Sequence, residues 1–163
     1  IQSGALQSLI QKKDAATAIF SIPCPLLVPM IEEGLVSHPA IKMVVDHYLE
    51  QLQGKQVDSA LLACTHYPLI RGVIQEAVGR KVRLIEPARL CAKKTKHWLE
   101  SHSLLNPARE KPVYQFYVSD NPQKFCRFTH QFFGSKIAKA AEPKFVDRLL
   151  PEMAPVEKKY DDL

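Results

Sequence analysis

The 163-residue sequence predicts an α/β fold built on a parallel sheet. Three observations carry that reading. Short, β-rich apolar runs alternate with longer segments whose apolar residues recur at helical spacing, which is the order of βαβ units. The run "VDSALLAC" (57–64) is apolar almost throughout, as strands covered on both faces are. Prolines open and glycines close several of the helical segments, as their backbone preferences dictate.

Taken in order, "SGALQSLIQK" reads as a helix opened by Ser3. "AATAIFSIP" is a compact apolar run and reads as a buried strand. "CPLLVPMIEEG", broken by Pro25 and Pro29, allows at most a short helix, closed by Gly34. Ser37 can cap the next helix, where Ile41, Val44, Val45, Tyr48, Leu49 and Leu52 share one face before Gly54. After the strand at 57–64, Pro68 opens a helix buried through Ile70, Val73, Ile74, Ala77 and Val78 and stopped by Gly79. "VRLIE" is a strand, Pro87 opens a helix to about Ser103, and "PVYQFYVS" is a strand. Asn121 caps a helix bearing Phe125, Phe128, Thr129 and Phe132, and a last strand lies near "AEPKFVDRLL". The tail at 151–163 has little to bury and is expected to be flexible.

Composition narrows the class of function. Apolar residues make up 46% of the chain, and no apolar run approaches the roughly 20 residues a membrane helix needs, so no membrane partner is expected. The first residues lack a secretory-signal pattern, and the chain opens on Ile1, so it reads as part of a longer protein or as a processed product. The formal charge of +5 is dispersed. Its densest cluster, "KKTKHW" (93–98), sits in a helical pattern, so a solvated helix face is expected and no nucleic acid. Cys24, Cys64, Cys91 and Cys126 lie 40, 27 and 35 residues apart. That spacing supports neither a zinc knuckle nor a disulfide framework, and free thiols in a reducing cytoplasm are expected.

The stretch "LLACTHYPLI" (61–70) carries the chemistry. Ligands of parallel α/β sheets bind beyond the carboxyl ends of the strands, and Cys64 stands at such an end. Backbone N–H groups at a helix start favour an anion or a thiolate. Thr65 adds a hydroxyl, and His66 can act as acid, base or electrostatic partner. From residue types alone three readings stay open: an inert strand-end cysteine with a capping threonine, a proton-exchanging thiol, and the Cys-His nucleophile of a hydrolase. No spacing supports a metal.

The wording goes further. "ALLACTHYPLI" resembles the "GCTHYPLL" motif of the glutamate racemases, the cofactor-independent two-cysteine amino-acid racemases. "IQSGALQ", "IPCPLLVPMIEEG", "LIEPARLCA" and "YQFYVSDNPQKFCRFTHQFFG" resemble further blocks of that family, in its order, from residue 1 to about 150. Glu86 and Pro87 stand where the family has Asp and often Ser.

The resemblance implies a parallel-sheet lobe of the two-lobed aspartate/glutamate racemase fold. It assigns residues 1–84 to the second lobe and 85–150 to a segment returning to complete the first. It implies interconversion of L- and D-glutamate for peptidoglycan, with neither pyridoxal phosphate nor metal, in the cytoplasm. Cys64 would be one of two acid–base thiols, Thr65 and His66 would bind and orient glutamate, and Glu32 would hold His66. Glu33 is expected on the helix face, Cys24 as structural, and Cys91 and Cys126 as core. The family's first-half motifs, including the other catalytic cysteine, do not occur here. The expected partner is therefore the N-terminal half of the same enzyme, with a homodimer allowed. Runners-up are an aspartate racemase-like relative and a catalytically incomplete fragment.

Overall fold

A computed structural model describes residues 3–107, 113–138 and 144–145. The chain divides into two compact units, Ile1–Pro107 and Ala108–Leu163. The sequence reading expects a lobe boundary near residue 84. Within this chain the division falls after Pro107, because the helix opened by Pro87 stays with the first unit.

The first unit is organised by β1 (Ser59–Leu61) and β2 (Arg83–Ile85). They pair in parallel, with Ser59 opposite Arg83 and Leu61 opposite Ile85. Parallel neighbours need a crossover, and here it carries α4 (Arg71–Val78). Before the sheet come α1 (Ala5–Lys13), α2 (Leu27–Glu32) and α3 (Pro39–Leu49), and after it α5 (Pro87–Ser101). Ile41 and Val45, four residues apart on α3, lie on one face and are buried against α4 and α2. Leu27, Ile31, Ile41, Val45, Leu62, Ile70 and Ile74 form the core. Burying one such side chain contributes roughly 1.5–3 kcal/mol, so α2, α3, α4 and the end of β1 stabilise one another.

Several local expectations change. Residues 15–23 form no strand among the described residues. Their side chains partly alternate between half-buried and exposed from Thr17 on, but no neighbouring strand supplies a ladder. The cap of α3 is His38, whose Nδ1 accepts the Ala40 N–H at 3.2 Å, and not Ser37. Ser3 Oγ accepts the Ala5 N–H at 3.4 Å, but Gly4 occupies the capping position of α1. Gly34, at φ 82°, ends α2 in the left-handed region that glycine adopts without strain. Cys91 and Cys126 are exposed rather than core: α5 buries none of its residues, and the half-buried aromatic residues Phe125 and Phe128 take the inner positions beside Cys126.

The second unit holds β3 (Tyr117–Val118), α6 (Pro122–Ala138) and β4 (Lys144–Phe145), with β3 and β4 parallel. Asn121 caps α6 as expected, its Oδ1 accepting the Lys124 N–H at 2.9 Å. The Phe116 ring lies 5.6 Å from Phe125 and 5.3 Å from Phe133. Thr129 is buried, and its hydroxyl donates to Cys126 O at 2.7 Å. The helical path breaks at Gly134, φ 71°. The tail expected at 151–163 lies outside the described residues.

Candidate active site

β1 loses its ladder just before the thiol. Leu62 still donates to Ile85 O at 3.0 Å, but the Ala63 N–H turns back onto Leu61 O. The next backbone bonds, Tyr67 N–H to Cys64 O at 3.4 Å and Leu69 N–H to His66 O at 3.0 Å, wind Cys64, Thr65 and His66 into a tight turn. Leu62 and Ile70, both buried, pin the two ends of this turn in the core. Between them Cys64 and His66 are half-buried and Thr65 is exposed. The turn therefore stands at the carboxyl edge of the parallel pair, where the sequence places it.

The helix start expected directly behind the thiol is not there. Pro68 sits in a single 3₁₀ turn, Tyr67–Ile70, and α4 begins only at Arg71. The acid–base neighbour of Cys64 is instead the imidazole. Cys64 Sγ lies 3.8 Å from His66 Nδ1, and Thr65 Oγ1 lies 3.4 Å from the same nitrogen. The opposite ring nitrogen, Nε2, lies 3.4 Å from Glu32 Oε1. A carboxylate at Nε2 favours the tautomer that carries its proton there. That leaves the Nδ1 lone pair directed to the thiol. Such an arrangement can accept a proton from sulfur and hold the thiolate beside an imidazolium.

Glu32 reaches the ring because α2 is anchored by its other face. Leu27 and Ile31 are buried, α2 packs against the Tyr67–Ile70 turn, and Glu32 is its last residue. Glu33, one residue on, is exposed. The structure thus brings Glu32, Cys64, Thr65 and His66 together, and leaves Glu33, Cys91 and Cys126 outside. A cavity of about 600 Å³ on α5, lined by Lys93, Lys94, Thr95, His97, Trp98 and Ser101, includes none of the four.

Sequence reasoning passed over two features of this edge. Arg71 Nε donates to Glu86 Oε1 at 2.8 Å, joining the start of α4 to the cap of α5. The Tyr67 phenol is partly buried beside Cys24. Burial first, then the nearby Cys24 and Cys64 thiols, push it from 10.0 up to about 12. Burial also pushes the Cys24 thiol up, and the nearby Tyr67 phenol partly offsets this. The signal available was a phenol and a thiol in otherwise apolar runs, since such groups need partners when buried.

No family model matches the chain. It is similar to the glutamate racemase of Chlorobaculum parvum, 37% identical over 137 residues, which is 84% of this chain and 50% of that protein. The glutamate racemase of Syntrophus aciditrophicus is 36% identical over 137 residues, 84% of this chain and 51% of that protein. Among solved structures, glutamate racemase from Francisella tularensis in complex with D-glutamate matches with a TM-score of 0.78 and 34% identity. That match covers 89% of this chain and 53% of the other. The chain spans about half the length of the curated relatives it matches.

Proposed function

Since this chain is a homologue of the glutamate racemases, we propose that it forms one catalytic face of such an enzyme, with Cys64 as one of two thiols that invert the α-carbon of glutamate. The observation that carries the reading is His66 set between the Cys64 thiol and the Glu32 carboxylate. In one direction the Cys64 thiolate takes the α-proton, leaving a carbanion and a neutral thiol. A second thiol gives its proton to the opposite face, and the two sulfurs have exchanged protonation states. His66 assists the Cys64 proton, Glu32 fixes the ring, and the exposed Thr65 hydroxyl is placed to bind the substrate. The chemistry requires neither pyridoxal phosphate nor a metal.

Glutamate is favoured over aspartate because the relatives share that name and one was solved with D-glutamate. The second thiol belongs, by resemblance, to the N-terminal half of the family, so this chain alone is expected to be inactive. The product would be D-glutamate for peptidoglycan, made in the cytoplasm. No helix among the described residues is long and apolar enough to cross a membrane.

The test is limiting iodoacetamide at neutral pH with mapping of the adducts. Cys64, with its imidazole, is expected to label ahead of Cys91 and Cys126, although both of those are exposed. Preferential labelling of either exposed thiol would contradict the proposal. A hydrolase would instead accumulate an acyl group on Cys64 with ester substrates, and none is expected.

A further inference from the structure

Two donors address one nitrogen in the thiol turn. The Thr65 hydroxyl lies 3.4 Å from His66 Nδ1, and the Cys64 sulfur lies 3.8 Å from it. The turn itself creates this crowding. Closed by the Tyr67 N–H on Cys64 O, it brings the side chains of two consecutive residues to the same edge of the next residue's ring. Glu32 Oε1, 3.4 Å from Nε2, favours the proton on that side, so Nδ1 offers a single lone pair. A thiol is a weak donor beside a hydroxyl, and the hydroxyl is also the nearer of the two. With the site empty, Thr65 therefore holds the acceptor that the Cys64 proton needs. The two groups differ in access as well. Thr65 is exposed and Cys64 is half-buried, so an arriving ligand meets the hydroxyl first.

We propose that Thr65 is a brake on the Cys64 thiol, released when a carboxylate of the amino-acid substrate takes the Thr65 hydroxyl and leaves His66 Nδ1 to the Cys64 proton. The inference rests on the reading of Cys64 and His66 given under Proposed function and adds how that thiol is regulated. In the release, the Thr65 O–H bond stays intact and only turns from Nδ1 to the carboxylate. The Cys64 S–H bond breaks, its proton moves to Nδ1, and the electron pair stays on sulfur. A thiolate then faces an imidazolium that Glu32 supports from the other side. A carboxylate is the acceptor that fits, because a hydrogen bond to a charged oxygen is roughly twice as strong as one between neutral groups. The coupling makes the thiol most reactive when an α-carbon is in place. It also spares an empty site from the oxidation that exposed thiolates suffer.

The test follows Cys64 alkylation in the 163-residue chain, with exposed Cys126 as internal reference and half-buried Cys24 as a reporter of loosening. Thr65→Val keeps the side-chain shape and removes the donor. With iodoacetamide at neutral pH it is expected to speed Cys64 labelling by about three- to tenfold, the fold equivalent of one net hydrogen bond. Thr65→Ser should keep the wild-type rate. In alkali, where thiols ionise unaided, all three proteins should label Cys64 alike. Iodoacetate carries a carboxylate on the reagent itself. Its rate relative to iodoacetamide should be higher at Cys64 than at Cys126, and Thr65→Val should abolish that excess. Labelling of Thr65→Val at the wild-type rate or slower would overturn the inference. So would a gain shared equally by Cys24, which reports a loosened fold, or the lack of an iodoacetate excess in the wild type. Glu32→Gln separates the two readings, because it should slow Cys64 labelling whatever Thr65 does. If Glu32→Gln slows it and Thr65→Val fails to speed it, this inference falls and the site reading stands. If Glu32→Gln changes nothing, the site reading fails and this inference with it.

Discussion

α3 and α5 begin alike, each with proline at its first position, and they end in different situations. α3 buries Ile41 and Val45 against α2 and α4, next to the site. α5 is four residues longer and buries nothing, with Leu90 and Trp98 each more than half exposed. Trp98 stacks on His102 at 4.2 Å and makes a local pair rather than a core contact. Apolar periodicity is thus present in both helices and is satisfied in one. The half of the molecule that holds Glu32 and Cys64 is stabilised by its own core. α5 carries an apolar face that the first unit does not use, as the proposed two-lobed enzyme would require.

The largest effect expected from this contrast is on stability. Ile31→Ala and Ile41→Ala empty fully buried positions and should each cost about 2–5 kcal/mol in denaturant unfolding. Leu90→Ala, on an exposed position of α5, should stay within about 0.5 kcal/mol. A comparable cost at Leu90 would break the comparison. Joining the chain to the N-terminal half of a homologous racemase should sharpen it by raising the Leu90 cost while leaving the Ile41 cost unchanged.

An alkaline dependence comes next. The folded-state Tyr67 phenol is raised from 10.0 to about 12, chiefly by burial, so folding favours its protonated form. The associated stability is fully present below pH 10 and is lost as pH rises toward 12. Cys24, also raised, adds the same sign above its ordinary 9.0. Thermal melts above pH 9 should therefore fall with pH, and Tyr67→Phe should flatten that slope. An unchanged slope would remove Tyr67 from its partly buried position.

A small effect is expected at Arg71. Its guanidinium is about half exposed although Glu86 is mostly covered, and exposed ion pairs contribute little. Arg71→Ala should cost about 1 kcal/mol or less, detectable as a shift in urea midpoint that high salt diminishes.

Much of this was legible in the sequence. The parallel β1–β2 pair follows from two apolar runs separated by a helical segment, and the Cys64–His66–Glu32 grouping follows from the resemblance of two blocks. Periodicity could not reveal that residues 15–23 find no ladder partner among the described residues, because a strand exists only where another strand meets it. Nor could it place the cap of α3 on His38, since a ring nitrogen and a serine hydroxyl compete for the same backbone N–H. It also ranked the cysteines of α5 and α6 as core, because an apolar stripe does not say whether anything covers it. Tyr67 and Cys24 lie 43 positions apart in the sequence, and the fold alone brings both against one buried cluster.

The central claim is that Cys64 is an acid–base thiol acting on the α-carbon. It is tested most directly by solvent deuterium entering the α-position of glutamate with inversion. The chain would be joined to the N-terminal half of a homologous racemase and compared with the same protein carrying Cys64→Ser. The account predicts inversion with label by the joined protein, a loss of about 10²–10⁴-fold on Cys64→Ser, and no exchange by the 163-residue chain alone. Inversion at undiminished rate in Cys64→Ser, or by the isolated chain, would contradict it.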